Sequence, residues 1–86
     1  MKKLTFRCRK IDDDDCRIWY LFLDGKRVLG TYIIQLFDSR EECYYKIRYN
    51  YVRIPPKDGL SWRYRYTNLS VAKRILVEYV NLMNDL

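Results

Sequence analysis

Cations at every second position, with tyrosines close by, are the residues of this chain best equipped for chemistry. They are Lys3, Arg7 and Arg9 near the start, Lys46 and Arg48 in the middle, and Arg63 and Arg65 further on, with Tyr44 beside the second group. Lysine and arginine pair with phosphates, and a tyrosine ring stacks on a nucleobase. The chemistry on offer is recognition of a polyanion rather than bond-making. The same pattern also has a use without a ligand, because alternating cations solvate the outer face of a sheet and discourage edge-to-edge pairing.

Bond-making residues are scarce. The chain has no histidine, which removes the commonest general base and the commonest zinc ligand. Cys8, Cys16 and Cys43 show no C-x-x-C spacing, and Cys43 has no histidine to activate it. Cys8 and Cys16 could face each other across a hairpin loop, but buried free thiols are the expectation. Asp12 to Asp15 are consecutive, and consecutive carboxylates rarely aim at one point, so they predict a solvated loop rather than a metal site. Glu41, Glu42 and Lys46 lack the carboxylate–x–lysine spacing of metal-dependent nucleases, and no glycine-rich phosphate loop is present. The expectation is a non-enzymatic protein with no catalytic residues, metal or cofactor.

Eighty-six residues predict one domain over 1–86, with a single core. The chain is 49% hydrophobic and 33% charged, a balance that favours folding over disorder. Seventeen basic residues against 11 acidic ones leave a formal charge of +6, which suits polyanionic partners. No signal peptide or long apolar run is evident, so a cytoplasmic protein without a membrane partner is expected.

The elements that must carry these side chains follow from periodicity. Tyr44 to Tyr66 organises the rest. Tyr45, Ile47, Tyr49 and Tyr51 alternate with Tyr44, Lys46, Arg48 and Asn50, and Trp62, Tyr64 and Tyr66 alternate with Arg63 and Arg65. Strand side chains alternate between faces, so two long strands are predicted, Tyr44 to Ile54 and about Ser61 to Tyr66, with Pro55-Pro56 closing the first. Leu4, Phe6 and Cys8 oppose Lys3, Thr5, Arg7 and Arg9 in a first strand. The nearly continuous apolar run Arg17 to Asp24 predicts a central strand covered on both faces. Asp24-Gly25 is a hairpin signal, leading into a third strand over Val28 to Phe37 whose Gly30 marks a bulge or a close approach. Asp38 to Glu42 is a polar connection with room for one helical turn.

The chain ends in a predicted helix. Asn68 is the expected N-cap, and Ala72, Ile75, Leu76, Tyr79, Val80 and Met83 form a continuous apolar stripe, with Lys73, Arg74, Glu78, Asn81 and Asn84 opposite. The predicted fold class is α+β, with about five mostly antiparallel strands in one sheet and a C-terminal helix (about 68–85) packed on one face. Strands followed by a closing helix resemble, in outline, small DNA-binding modules such as the integrase arm-binding and AP2 domains, and that resemblance implies a three-stranded sheet laid in a DNA groove.

With the helix on the Leu4/Phe6 side, Lys3, Arg7, Arg9, Lys46, Arg48, Arg63 and Arg65 share the opposite face. The leading expectation is a binding protein that engages nucleic acid or a nucleoprotein complex through these cations, with Tyr44 as a stacking residue. The competing expectation is an inhibitor or accessory protein of the phage or mobile-element kind, similar in character to anti-CRISPR proteins, that binds a protein partner through tyrosine and arginine.

Overall fold

The computed structural model describes residues 3–11, 16–37, 42–54 and 65–84. Its elements in chain order are β1 (Leu4–Lys10), β2 (Arg17–Leu23), β3 (Lys26–Phe37), β4 (Cys43–Tyr49), β5 (Val52–Ile54) and α1 (Leu69–Asn84). Among the described residues the strands form one antiparallel meander, β1-β2-β3-β4-β5, beneath a single C-terminal helix. The fold is therefore α+β, with four long strands and a fifth of only three residues.

The β2–β3 hairpin forms as its sequence demands. Asp24 and Gly25 take φ of 50° and 83° between the paired residues Leu23 and Lys26, the two positive values a two-residue turn requires. Asp24 also fastens the start of β1. Its Oδ1 accepts from the Lys3 backbone N–H at 2.8 Å, and its own N–H donates to the Lys3 carbonyl at 2.9 Å.

The sequence pattern misplaces the second hairpin. Tyr44 to Ile54 is not one strand, because the chain reverses at Asn50 and Tyr51, with φ of 49° and 69°. Tyr49 then pairs with Val52, and Ile47 with Ile54. Asparagine tolerates positive φ, but a tyrosine there is costly unless its surroundings hold it. They do: the Tyr51 N–H donates to the Gly30 carbonyl at 2.9 Å, and the Asn50 N–H donates to Thr31 Oγ1 at 3.2 Å.

Gly30 is itself at φ 70° inside β3, where the ladder to β2 slips. Tyr20 pairs with Tyr32 but Phe22 pairs with Arg27, so Val28 to Thr31 face Leu21 alone. This is an enlarged bulge, four residues against one, and Tyr51 closes over it, which meets both expectations for Gly30. Of the predicted final strand, Ser61 to Tyr64 lie outside the described residues. Tyr66 makes a single antiparallel bridge with Tyr45, extending the edge line that β5 begins.

The core lies between the sheet and α1. One row crosses all five strands through Cys8, Trp19, Ile33, Ile47 and Ile54, and from Trp19 onward every member is buried. Ala72, Leu76 and Val80 of α1 are buried against this row's surroundings together with Leu21 and Tyr66. Each fully buried aliphatic side chain contributes about 1.5–3 kcal/mol. Asn68 caps the helix, its Oδ1 accepting from the Val71 N–H at 3.2 Å and its carbonyl from the Ala72 N–H at 3.0 Å.

Three expectations fail around this core. Met83 is exposed rather than buried in the stripe. Lys73 does not sit on the far side of the helix; its Nζ lies 5.5 Å from the Phe6 ring and 5.9 Å from the Trp19 ring, with its aliphatic stem toward the sheet. The cysteines are free, as expected, but not buried: Cys8 is exposed, and Cys16 and Cys43 are half-buried. Cys8 pairs with Trp19 while Cys16 lies beyond the end of the ladder, where its carbonyl accepts from the Ile11 N–H at 3.0 Å, so the two thiols do not face each other.

Candidate nucleic-acid interface

The sheet has a second face, turned away from α1, and it carries the candidate site. Register places its residues in rows. One runs Arg9, Ile18, Ile34, Lys46; the next runs Arg7, Tyr20, Tyr32, Arg48; and Leu36 pairs with Tyr44 beyond them. Thr5 and Arg27 flank Phe22 on the other side. The face is thus basic along β1 and β4 and apolar or aromatic along β2 and β3.

Among the described residues, no aspartate or glutamate occurs in any strand. Strand carboxylates therefore do not neutralise this face from within.

Among the described residues, three guanidinium groups lie over its rings. Arg27 Cζ is 4.0 Å from the Tyr20 centroid, Arg65 Cζ is 4.2 Å from Tyr44, and Arg7 Cζ is 4.7 Å from Phe22. Tyr20 and Tyr32 meet edge to face, with centroids 6.4 Å apart. Such contacts are worth about 0.5–1 kcal/mol each on an open surface. They also correct the expectation for β2. Among the described residues no second layer covers its outer side; Tyr20 and Phe22 are half-buried beneath arginine side chains, and Ile18 is buried.

The predicted site residues are distributed as follows. Arg7, Arg9, Tyr44, Lys46 and Arg48 stand on this face, and Arg65 reaches it over Tyr44. Arg48 spends part of its donor capacity within the fold, donating from Nη1 to the Tyr51 carbonyl at 3.2 Å. Lys3 precedes β1, where its backbone is tied to Asp24. Arg63 lies outside the described residues, as do Asp12 to Asp15.

Sequence reasoning missed Arg27, Tyr20, Phe22 and Tyr32. The signal for Tyr20 and Phe22 was present, since they alternate with Trp19, Leu21 and Leu23, but the continuous apolar run hid it. Tyr32 follows the bulge, which breaks the strand's count of faces.

The opposite face holds a separate polar contact. Gln35 Nε2 donates to Cys43 Sγ at 3.0 Å. The hydroxyl of Tyr45 is held above its ordinary pKa by its hydrogen bond with Cys43 and then by burial. This group faces the helix side and is packed edge-on against Trp19, with ring centroids 5.9 Å apart.

Among the described residues, no group of three or more histidine, cysteine, aspartate or glutamate side chains is placed to hold a metal ion. Among them, too, no helix is long and apolar enough to cross a membrane. Comparisons with protein-family models, with curated proteins and with solved structures find no match.

Proposed function

We propose that this protein is a non-enzymatic binding protein whose helix-free sheet face engages nucleic acid or a nucleoprotein complex. One observation carries the reading: cations line both β1 and β4 of that face, aromatic rings lie between them, and among the described residues no strand contains a carboxylate. Like charges gathered on one face repel, and phosphates of a bound polyanion relieve that repulsion. Arg7, Arg9, Lys46, Arg48 and Arg65 are the phosphate-binding candidates, with Arg63 and Lys3 as further contributors.

The test is fluorescence anisotropy with labelled DNA and RNA at about 50 mM and about 200 mM salt, between which several phosphate contacts lose orders of magnitude in affinity. Arg7→Ala and Arg9→Ala, on one edge, and Lys46→Ala, on the other, should each weaken binding and lower the salt slope by about one. Absence of binding at the lower salt would refute the proposal.

A protein partner, and with it a cytoplasmic inhibitor or accessory role, is the second reading. It is favoured by Tyr51 and Val52, exposed at the β4–β5 turn, and by Leu29, exposed in the β3 bulge that this turn bonds to. In that case binding would depend on one or two of these residues and change little with salt.

A further inference from the structure

Resting on the nucleic-acid reading, we infer that the ligand is single-stranded, with its bases stacked on the aromatic band of Tyr20, Tyr32 and Tyr44. Phosphates would lie against the cations of β1 and β4.

The distribution of chemistry across the face decides this. A duplex shows a protein its phosphates and the polar edges of its bases, and the flat faces of the bases stay inside the stack. The middle of this face offers little to either. Phe22 of β2 and Ile34 and Leu36 of β3 are half-buried and would lose water against phosphate oxygens with no hydrogen bond in return. A single strand presents what the face can use, planar base surfaces for the rings and a backbone for the flanking cations.

Width points the same way. Five strands spaced about 4.8 Å apart make a surface about 19 Å across. The major groove of B-DNA is about 12 Å wide and admits a helix or a two-stranded ribbon. A sheet of this width meets a duplex across its backbones rather than inside the groove, where the apolar centre would have no partner.

The arginine–ring contacts add a second, independent feature. Guanidinium planes over Tyr20 and Tyr44, at 4.0 and 4.2 Å, are themselves flat surfaces on which bases stack. A base can extend such a pair into a three-layer stack or replace the arginine and release it toward a phosphate. The three-layer stack needs a planar cation, so lysine at position 27 keeps the charge and loses that layer.

The experiment measures anisotropy of a labelled single strand of about 12 nucleotides, a length within the usual footprint of such surfaces, against the duplex of the same sequence. The expected result is tighter binding of the single strand by about tenfold or more, with quenching of protein tyrosine fluorescence. Tyr32→Leu should weaken single-strand binding roughly five- to hundredfold, with the salt slope unchanged. Arg27→Lys, at an exposed position where folding is not at risk, should also weaken it at unchanged slope. Duplex binding as tight as single-strand binding would overturn the inference while leaving the nucleic-acid reading in place. So would full affinity in both Arg27→Lys and a folded Tyr32→Leu. Failure to bind either form would overturn both.

Discussion

Replacing Gly30 by alanine tests whether the Tyr51 turn is held by the β3 bulge, as the structure implies. Two separate penalties apply. Gly30 sits at φ 70°, where a Cβ costs about 1–2 kcal/mol whatever the space around it. A Cβ there would also lie 2.7 Å from Cδ2 and Cε2 of the Tyr51 ring and 2.8 Å from its Cγ, too close for any real contact. Crowding of this kind costs about 1–3 kcal/mol, and because Cγ is the root of the ring, the whole side chain must swing away. The expected total is about 2–5 kcal/mol, measured by urea unfolding.

The two parts separate in a double-mutant cycle with Tyr51→Asn, which removes the ring and suits positive φ. In that background Gly30→Ala should cost only the backbone part, about 1–2 kcal/mol. Equal costs in the two backgrounds would refute the account, since the ring would then not be seated on Gly30. A cost below about 0.5 kcal/mol would refute the backbone argument as well.

Three further outcomes are expected. Asn68→Ala removes the acceptor of the Val71 N–H and should cost about 1 kcal/mol by urea denaturation, while Asn68→Asp should keep most of it. Leu76→Ala empties a fully buried position between helix and sheet; a loss of about 2–5 kcal/mol is expected, and a change under about 1 kcal/mol would mean that α1 is not docked there. Tyr45 retains its phenolic proton more tightly in the folded than in the unfolded chain, whose value is 10.0. Its contribution is therefore complete below that pH and is lost as pH rises toward the folded value. The stability difference between the protein and its Tyr45→Phe variant should stay level up to about pH 10 and narrow above it; a widening difference would contradict the Cys43 contact.

Much of the fold was legible in the chain because it rests on local rules. Alternation in Leu4 to Arg9 and Tyr44 to Tyr49 assigns faces, since a strand turns its side chains up and down with period two. Asp24-Gly25 makes its turn from its own conformational preferences, and Asn68 caps its helix with its own side chain. The cations that β1 and β4 bring to the candidate face were legible for the same reason.

What stayed hidden depends on contacts between residues far apart in the chain. The alternation of Tyr45, Ile47, Tyr49 and Tyr51 runs unbroken through a sharp reversal, and nothing local marks Tyr51 as a turn residue. It takes its positive φ because Gly30 and Thr31 of β3 accept the two backbone N–H groups of the turn. Lys73 has helical spacing typical of a solvent position, yet the docking of α1 on the sheet brings its amine near the rings of Phe6 and Trp19. The aromatic centre of the candidate face was concealed likewise: the apolar run of β2 does not say which of its sides the helix will cover. Periodicity sorts residues into two faces, but only packing the helix on one of them, in a register set across strands, determines which face is left open to a partner.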